Sequence, residues 1–268
     1  MERGMQPVVV VKNVSAAYGD RVVLDNVSTT VMPSEIRVIL GPSGCGKTTL
    51  LKTMVGLLPP LRGSITLFGR EMRDLDSPQS MEILRRVGIL FQNGALLGSL
   101  SVEENVGLPL EMHSTLSKAM IREIVHLKLS QVGLAHAAGL MPQELSGGMR
   151  KRAALARALV LDPPILFCDE PSAGLDPVTS AGLDELLLGL RGMLSITIVV
   201  VTHELTSIRA IADNVVFLYR GGVLFDGPLA EAVRLSQGPV ADFFNRKESA
   251  AAAASGRRQS LFTVEATA

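Results

Sequence analysis

An α/β fold with a parallel core sheet, an N-terminal antiparallel β layer and an inserted helical subdomain is the architecture this sequence predicts, on three observations. Near-continuous apolar runs at Ile36–Leu40, Val87–Phe91, Ile165–Cys168 and Ile196–Val201 are separated by helical stretches, the texture of parallel strands covered on both faces. Shorter β-branched runs lie near the N-terminus between turn residues, which suits an antiparallel layer. Residues 94–160 carry helical periodicity instead.

Composition narrows the class. The 268 residues balance 26 Lys plus Arg against 26 Asp plus Glu, so no global charge argues for nucleic acid, and no such partner is expected. Mean hydropathy is +0.32, yet no run approaches the ~20 apolar residues that span a bilayer. Such an apolar surface is expected to dock on a partner. The N-terminal MERGMQPVVVVK lacks a secretory cleavage pattern. Cys45 and Cys168 are not placed for a disulfide, which fits a reducing cytosol.

In chain order, Val8–Val11 and Val22–Val31 read as strands, with turns at Tyr18-Gly19-Asp20 and Asp25-Asn26. Ile36–Leu40 feeds a glycine-rich loop and then an apolar-periodic helix to Leu58. Ile65–Phe68 is a further strand ending at Gly69, and Gln92 stands at the end of Val87–Phe91. The helical region opens on Ser101-Val102-Glu103-Glu104, a capping-box pattern, and Pro109 and Gly133 are expected to break it into short helices. Pro163-Pro164 closes it. Val215–Leu218, the Arg220-Gly221-Gly222 turn and Val223–Phe225 form a closing hairpin, followed by short helices at Pro228–Leu235 and Pro239–Lys247. One domain over 1–245 is expected, its core and β layer from 1–93 and 161–245, its helical part from 94–160, with 246–268 as a tail. In that tail Leu261, Phe262 and Val264 could dock on a neighbouring chain, although an unstructured terminus is the expectation.

The glycine loop carries the chemistry. Gly41, Gly44 and Gly46 in GPSGCGKTT let the backbone curl and aim successive N–H groups at an anion. Lys47 supplies a charge for β/γ-phosphates, Thr48 a hydroxyl for Mg²⁺, and the helix the positive end of its dipole. GxxxxGK[ST] arises by chance roughly once in a hundred chains of this length, and here it has the required strand before and helix after. This is a nucleoside-triphosphate site in a P-loop fold. Ligands in such sheets bind beyond the carboxyl ends of strands. Those ends carry the loop, Gln92, Asp169-Glu170 and His203.

Asp169 has the form of a metal-holding acid, and Glu170 beside it can polarise an attacking water. His203 can bond the γ-phosphate. Tyr18 either offers a ring to adenine or packs its own hairpin. Ser146 is a helix cap, and Gly147 and Gly148 allow a phosphate to reach the helix amides. Whether this second anion site meets the same nucleotide within one chain stays open. Arg150, Lys151 and Arg152 oppose the helix dipole there, which argues for something anionic nearby.

GPSGCGKTT, Gln92, ELSGGM, ILFCDEP, SAGLD and Thr202-His203 together resemble, in order, an ATP-binding cassette (ABC) ATPase over roughly residues 8–228. The resemblance implies that ATP and Mg²⁺ are bound by a Walker A loop of Gly41, Pro42, Ser43, Gly44, Cys45, Gly46, Lys47, Thr48 and Thr49. It makes Gln92 the Q-loop residue, with Thr48 and Asp169 a metal ligand, and Glu170 the catalytic base with His203 as switch histidine. Ser146, Gly147, Gly148 and Met149 become the signature motif, Gly174-Leu175-Asp176 the D-loop, and Tyr18 the adenine-stacking aromatic. Such subunits form head-to-tail homodimers, so one chain's signature closes over ATP held by the other. FQNGALLGSLSVEENVGLPL and LMPQELSGGMRKRAALARAL are similar to ATPases of MCE-type lipid transporters, of the Mla phospholipid kind; Met149 replaces the more general glutamine. That subgroup implies an integral-membrane permease, an MCE-domain lipid-binding protein reached through it, a small STAS-type accessory protein, and a peripheral place on the cytoplasmic face of the inner membrane. Ala95, Leu96, Leu97 and Leu100 fall where the family grips the permease's coupling helix, or they simply pack the insertion. Alternatives are an importer or exporter ATPase for another solute, and a soluble ATP-gated clamp in translation or repair.

Overall fold

The computed structural model describes residues 6–72 and 77–245. The tail expectations, including Leu261, Phe262 and Val264, lie outside the described residues. The strands are β1 (Val9–Tyr18), β2 (Arg21–Val31), β3 (Ile36–Leu40), β4 (Arg62–Leu67), β5 (Arg70–Glu71), β6 (Val87–Leu90), β7 (Ile165–Asp169), β8 (Thr197–Val201), β9 (Asn214–Tyr219) and β10 (Gly222–Pro228). The helices include α1 (Lys47–Met54), α2 (Pro78–Leu84), α3 (Val102–His113), α4 (Lys118–Gln131), α5 (Gly147–Leu159), α6 (Pro177–Leu194), α7 (Leu205–Ile211) and α8 (Leu229–Arg234), and residues 238–245 are helical as well.

Two sheets form. The first is antiparallel, in the order β2-β1-β4-β5. The second runs β10-β9-β3-β8-β7-β6 and is parallel except where β10 turns back on β9. β3, β7 and β8 are buried at all five positions. Their alternation divides the core: Val38, Leu40, Leu166 and Cys168 face the helical side, and Ile39, Phe167, Val199 and Val201 face the antiparallel layer. Period-two alternation buried on both faces is what an uninterrupted apolar run means.

Two local expectations are corrected. β1 runs ten residues, through the polar Lys12, Asn13 and Ser15 that hide it from an apolar-run reading. Asp25-Asn26 is no turn but a bulge inside β2: Asn26 has φ 52°, and the register shifts between Val14↔Val27 and Ala16↔Leu24. Ser15 holds it, donating to Asp25 Oδ1 at 3.2 Å and accepting from Asn26 N at 3.1 Å.

Pro109 does not break α3 but sits inside it. The helix survives because its start is locked and its face is buried, and packing outweighs one lost backbone bond. Glu104 N donates to Ser101 Oγ at 3.3 Å while Ser101 N donates to Glu104 Oε2 at 2.7 Å, and Val102, Val106 and Leu110 are buried. Gly133 does end α4, in the left-handed conformation (φ 72°).

Candidate functional site

The loop after β3 shows why it needs glycine. Gly41, Gly44 and Gly46 have φ of 143°, 77° and 106°. A Cβ on Gly41 would lie 2.2 Å from the Leu218 carbonyl oxygen, and one on Gly46 would lie 2.5 Å from Leu24 Cδ2. The chain therefore turns where strand β9 and the antiparallel layer leave no room for a side chain. α1 then starts at Lys47 with no side-chain cap, leaving its first amides to bond elsewhere. Lys47 Nζ donates to the carbonyls of Gly41 (3.0 Å) and Pro42 (3.1 Å), lying across the loop.

A cavity of about 400 Å³ opens on this loop. Ser43, Gly44, Gly46, Lys47, Thr48 and Thr49 line it together with Gln92, Glu170 and His203. Four strand ends of one sheet thus meet where the sequence places them. Arg21 and Val23 line it as well, and the sequence reading missed them. The available signal was their position just after the Tyr18-Gly19-Asp20 turn, with Arg21 paired to Tyr18 in the hairpin. Cys45 is buried beneath the loop; burial pushes its thiol pKa up, and Lys47 partly opposes this. Both cysteines are free.

Thr48 Oγ1 donates to Asp169 Oδ1 at 3.0 Å. Burial raises the Asp169 pKa, the Thr48 bond lowers it, and neighbouring Glu170 raises it again. A buried carboxylate beside a hydroxyl, with no ion pair to it among the described residues, is a fitting place for a hard dication bound through oxygen. Thr48, Asp169 and Gln92 would hold Mg²⁺. When bound, it supplies positive charge to the phosphate oxygens. Among the described residues no cluster of three His, Cys, Asp or Glu exists for a metal.

Glu170 turns off the end of β7 with φ 47°, and its N–H donates to Val201 O at 2.8 Å. A left-handed non-glycine residue is uncommon and clusters at functional sites. His203 Nδ1 is 2.8 Å from Glu170 Oε1. With Glu170 ionised, its oxygen accepts and Nδ1 would be the donor in this contact. One Glu170 oxygen is thus paired with the His203 ring, and the other, Oε2, is buried with no hydrogen-bond partner.

Other predicted residues are not brought together with these. Among the described residues none of Tyr18, Ser146, Gly147, Gly148, Met149 or Asp176 lines the cavity. Tyr18 is 48% exposed at the hairpin end. Ser146 caps α5, accepting from Met149 N at 3.3 Å, as predicted. Gly148 has a local reason to be glycine: its Cβ would lie 2.5 Å from Thr179 Cγ2. Asp176 caps α6, accepting from the amides of Val178 and Thr179, and the Thr179 hydroxyl bond pulls its pKa down.

The cations that open α5 donate to backbone carbonyls. Arg150 donates to Leu145 O, Lys151 to the Gln92 and Glu170 carbonyls, and Arg152 to those of Val132 and Gly182. Arg157, further along, donates to Ala95 O and Gly94 O. Carbonyl dipoles offset part of the charge, and for Lys151 the nearby acidic groups of Cys168, Asp169 and Glu170 act against the effect of burial.

A family model described as ABC transporter matches residues 24–173. The chain is 42% identical over 222 residues to the Haemophilus influenzae "Intermembrane phospholipid transport system ATP-binding protein MlaF", covering 83% of this chain and 84% of that one. It is 39% identical over 239 residues to the Escherichia coli K12 protein of the same name, covering 89% and 88%. The Mycobacterium tuberculosis H37Rv "Probable ribonucleotide transport ATP-binding protein mkl" is 40% identical over 235 residues, 88% of this chain. That alignment spans only 66% of the mycobacterial protein's length. Among solved structures, cbiO1 of Clostridium perfringens superposes with a TM-score of 0.77 at 30% identity over 84% of this chain and 90% of that one. The cassette MJ0796, solved as a dimer in a post-hydrolysis state with ADP and Pi, gives 0.76 at 33% identity, covering 82% and 98%.

Proposed function

This chain belongs to the ABC transporter family, and on that premise we propose that it hydrolyses ATP to power a membrane permease that moves phospholipid. The observation that carries the hydrolysis is the 2.8 Å contact of His203 with Glu170 beside the Lys47 loop. Phosphoryl transfer to water needs mainly positioning and charge stabilisation. Lys47 and the α1 amides bind the phosphates, Thr48 and Asp169 would hold Mg²⁺, which would supply positive charge there, and Gln92 reaches the same cavity. Glu170, oriented by His203, takes the proton from water.

Two chains acting head to tail make the complete site. In support, the Ser146–Met149 motif stands apart from the cavity of its own chain, so its amides serve a nucleotide elsewhere. Closure would depend on γ-phosphate contacts made only across that interface, so nucleotide state selects between two arrangements. The permease would grip the segment after Gln92. Buried Asn105 fixes that segment, accepting from Leu97 N at 2.7 Å and donating to the carbonyls of Leu97 and Leu100, while Leu97 is left 46% exposed. A cavity of about 340 Å³ adjoins it, lined by Phe91, Leu108, Pro109 and Met112. No helix among the described residues is long and apolar enough to cross a membrane. A permease-bound ATPase of this kind would sit peripherally, on the cytoplasmic face of the inner membrane. An MCE-domain lipid-binding protein and a STAS-type accessory protein complete the proposed assembly.

The relatives' names differ on cargo, phospholipid in one case and ribonucleotide in the other. Phospholipid is favoured because those relatives match over most of both chains, whereas the mycobacterial alignment spans only 66% of that protein. The test is to purify the chain with its partners from detergent-solubilised membranes and reconstitute them in liposomes. ATP-dependent movement of fluorescent phospholipid, with none of a radiolabelled ribonucleotide, is expected; the converse pattern overturns the cargo.

A further inference from the structure

Lys151 sits two residues beyond Met149 on α5 and is only 6% exposed. Its ammonium donates to two backbone carbonyls, that of Gln92 and that of Glu170 at 3.2 Å. These belong to different parts of the molecule. Gln92 lies where the chain leaves β6 for the helical insertion, and Glu170 lies where it leaves β7. A charged donor makes stronger bonds than a neutral one. Burial also costs an ammonium its hydration and lowers the Lys151 pKa, an effect that Asp169 and Glu170 oppose. On a face shared with the buried Ala154 and Leu155, an apolar side chain would pack at less cost. The ammonium therefore has a use beyond packing.

That use is visible at Glu170. Its left-handed backbone is held on one side by the bond from its N–H to Val201 O. On the other side its carbonyl accepts from Ala173 N at 3.1 Å and from Lys151. Fixing both peptide planes fixes the direction of the Cα–Cβ bond, and with it the carboxylate that His203 meets. The same ammonium fixes the Gln92 peptide. One turn earlier on α5 stand Ser146, Gly147 and Gly148.

We propose that Lys151 is a positioning residue that locks the Glu170 and Gln92 backbones to the first turn of α5. The glycine-rich end of α5 and the water-activating carboxylate of the same chain then move as one unit. Contact made by that end with a nucleotide on a second chain then reaches the chain's own base through the Lys151 ammonium. The catalytic part rests on the hydrolysis proposed above; the tether does not.

The test is Lys151→Met, which keeps the length and apolar stem but removes the charge and donors. Phosphate release is expected to fall in kcat by about 10- to 100-fold, as displacement of a catalytic group by about 1 Å can do, with KM for ATP within about twofold. Amide hydrogen exchange of the nucleotide-free protein is expected to quicken at 90–96 and 168–174 and to stay unchanged in α4. Unaltered kcat, a loss of kcat no larger than the loss of ATP-binding-competent protein, unaltered exchange at both segments, or exchange raised equally throughout each overturns the proposal. Local exchange that quickens in Lys151→Met while the wild type hydrolyses no ATP refutes the proposed function and leaves the tether standing.

Discussion

His203 Nδ1 lies 2.8 Å from Glu170 Oε1 across the adjacent ends of β8 and β7, at the edge of the cavity that Lys47 lines. The pairing gives the buried Glu170 carboxylate a hydrogen-bond partner, and it is made at the ends of two strands whose parallel register runs to Asp169↔Val201. Replacing His203 by Ala removes that partner without touching the phosphate loop. Phosphate release is expected to fall by about 10- to 100-fold, while ATP affinity, measured by titration with a fluorescent analogue, stays within about threefold of the wild type.

Lys47→Ala acts on the other half of the site. It deletes the cation that spans the Gly41 and Pro42 carbonyls. Nucleotide affinity itself should weaken by at least about tenfold, the scale of one charge-assisted phosphate contact. Direct titration checks this, and unchanged affinity counts against the lysine's assignment.

Gly41→Ala tests the backbone rather than the chemistry. Its Cβ would meet the Leu218 carbonyl oxygen at 2.2 Å, at a φ of 143° that L residues rarely adopt. A loss of about 2–4 kcal/mol is expected, seen in thermal unfolding as a Tm lower by roughly 4–12 °C.

Asp184, on α6 and buried against α7, gives a pH prediction. Burial raises its pKa above the ordinary 3.8, and a hydrogen bond from Ser207 only partly opposes this. A raised carboxyl binds more protons folded than unfolded between the two values, so stability falls as pH rises through that window. Asp184→Asn should lose this slope and be more stable than the wild type above it. Denaturant midpoints at several pH values from 4 upward read the difference; parallel profiles contradict it.

The elements that apolar pattern alone can specify were legible in the sequence. β3, β7 and β8 are short, mostly apolar and buried on both faces, so their runs are nearly continuous, and the residues at their ends fall at one sheet edge by topology. Features that depend on partners far along the chain were not legible. β1 is extended through Lys12 and Asn13 because β2 and β4 pair with it on both sides. Pro109 is tolerated because α3 is capped and packed, facts external to the proline. The α5 cations invited an anion because the carbonyls they take, such as Gln92 and Gly182, lie about 30 to 60 residues away. Lys151 had one local signal, its place three and four residues before Ala154 and Leu155 on an apolar face.

Single-turnover and steady-state phosphate release by Glu170→Gln, set beside the wild type, is the decisive measurement. That variant keeps the shape and loses the base. It should bind ATP normally, release phosphate at least about 100-fold more slowly, and collect as a dimer on size exclusion in ATP. Turnover at the wild-type rate would mean that Glu170 does not activate water and that its contact with His203 serves the fold alone.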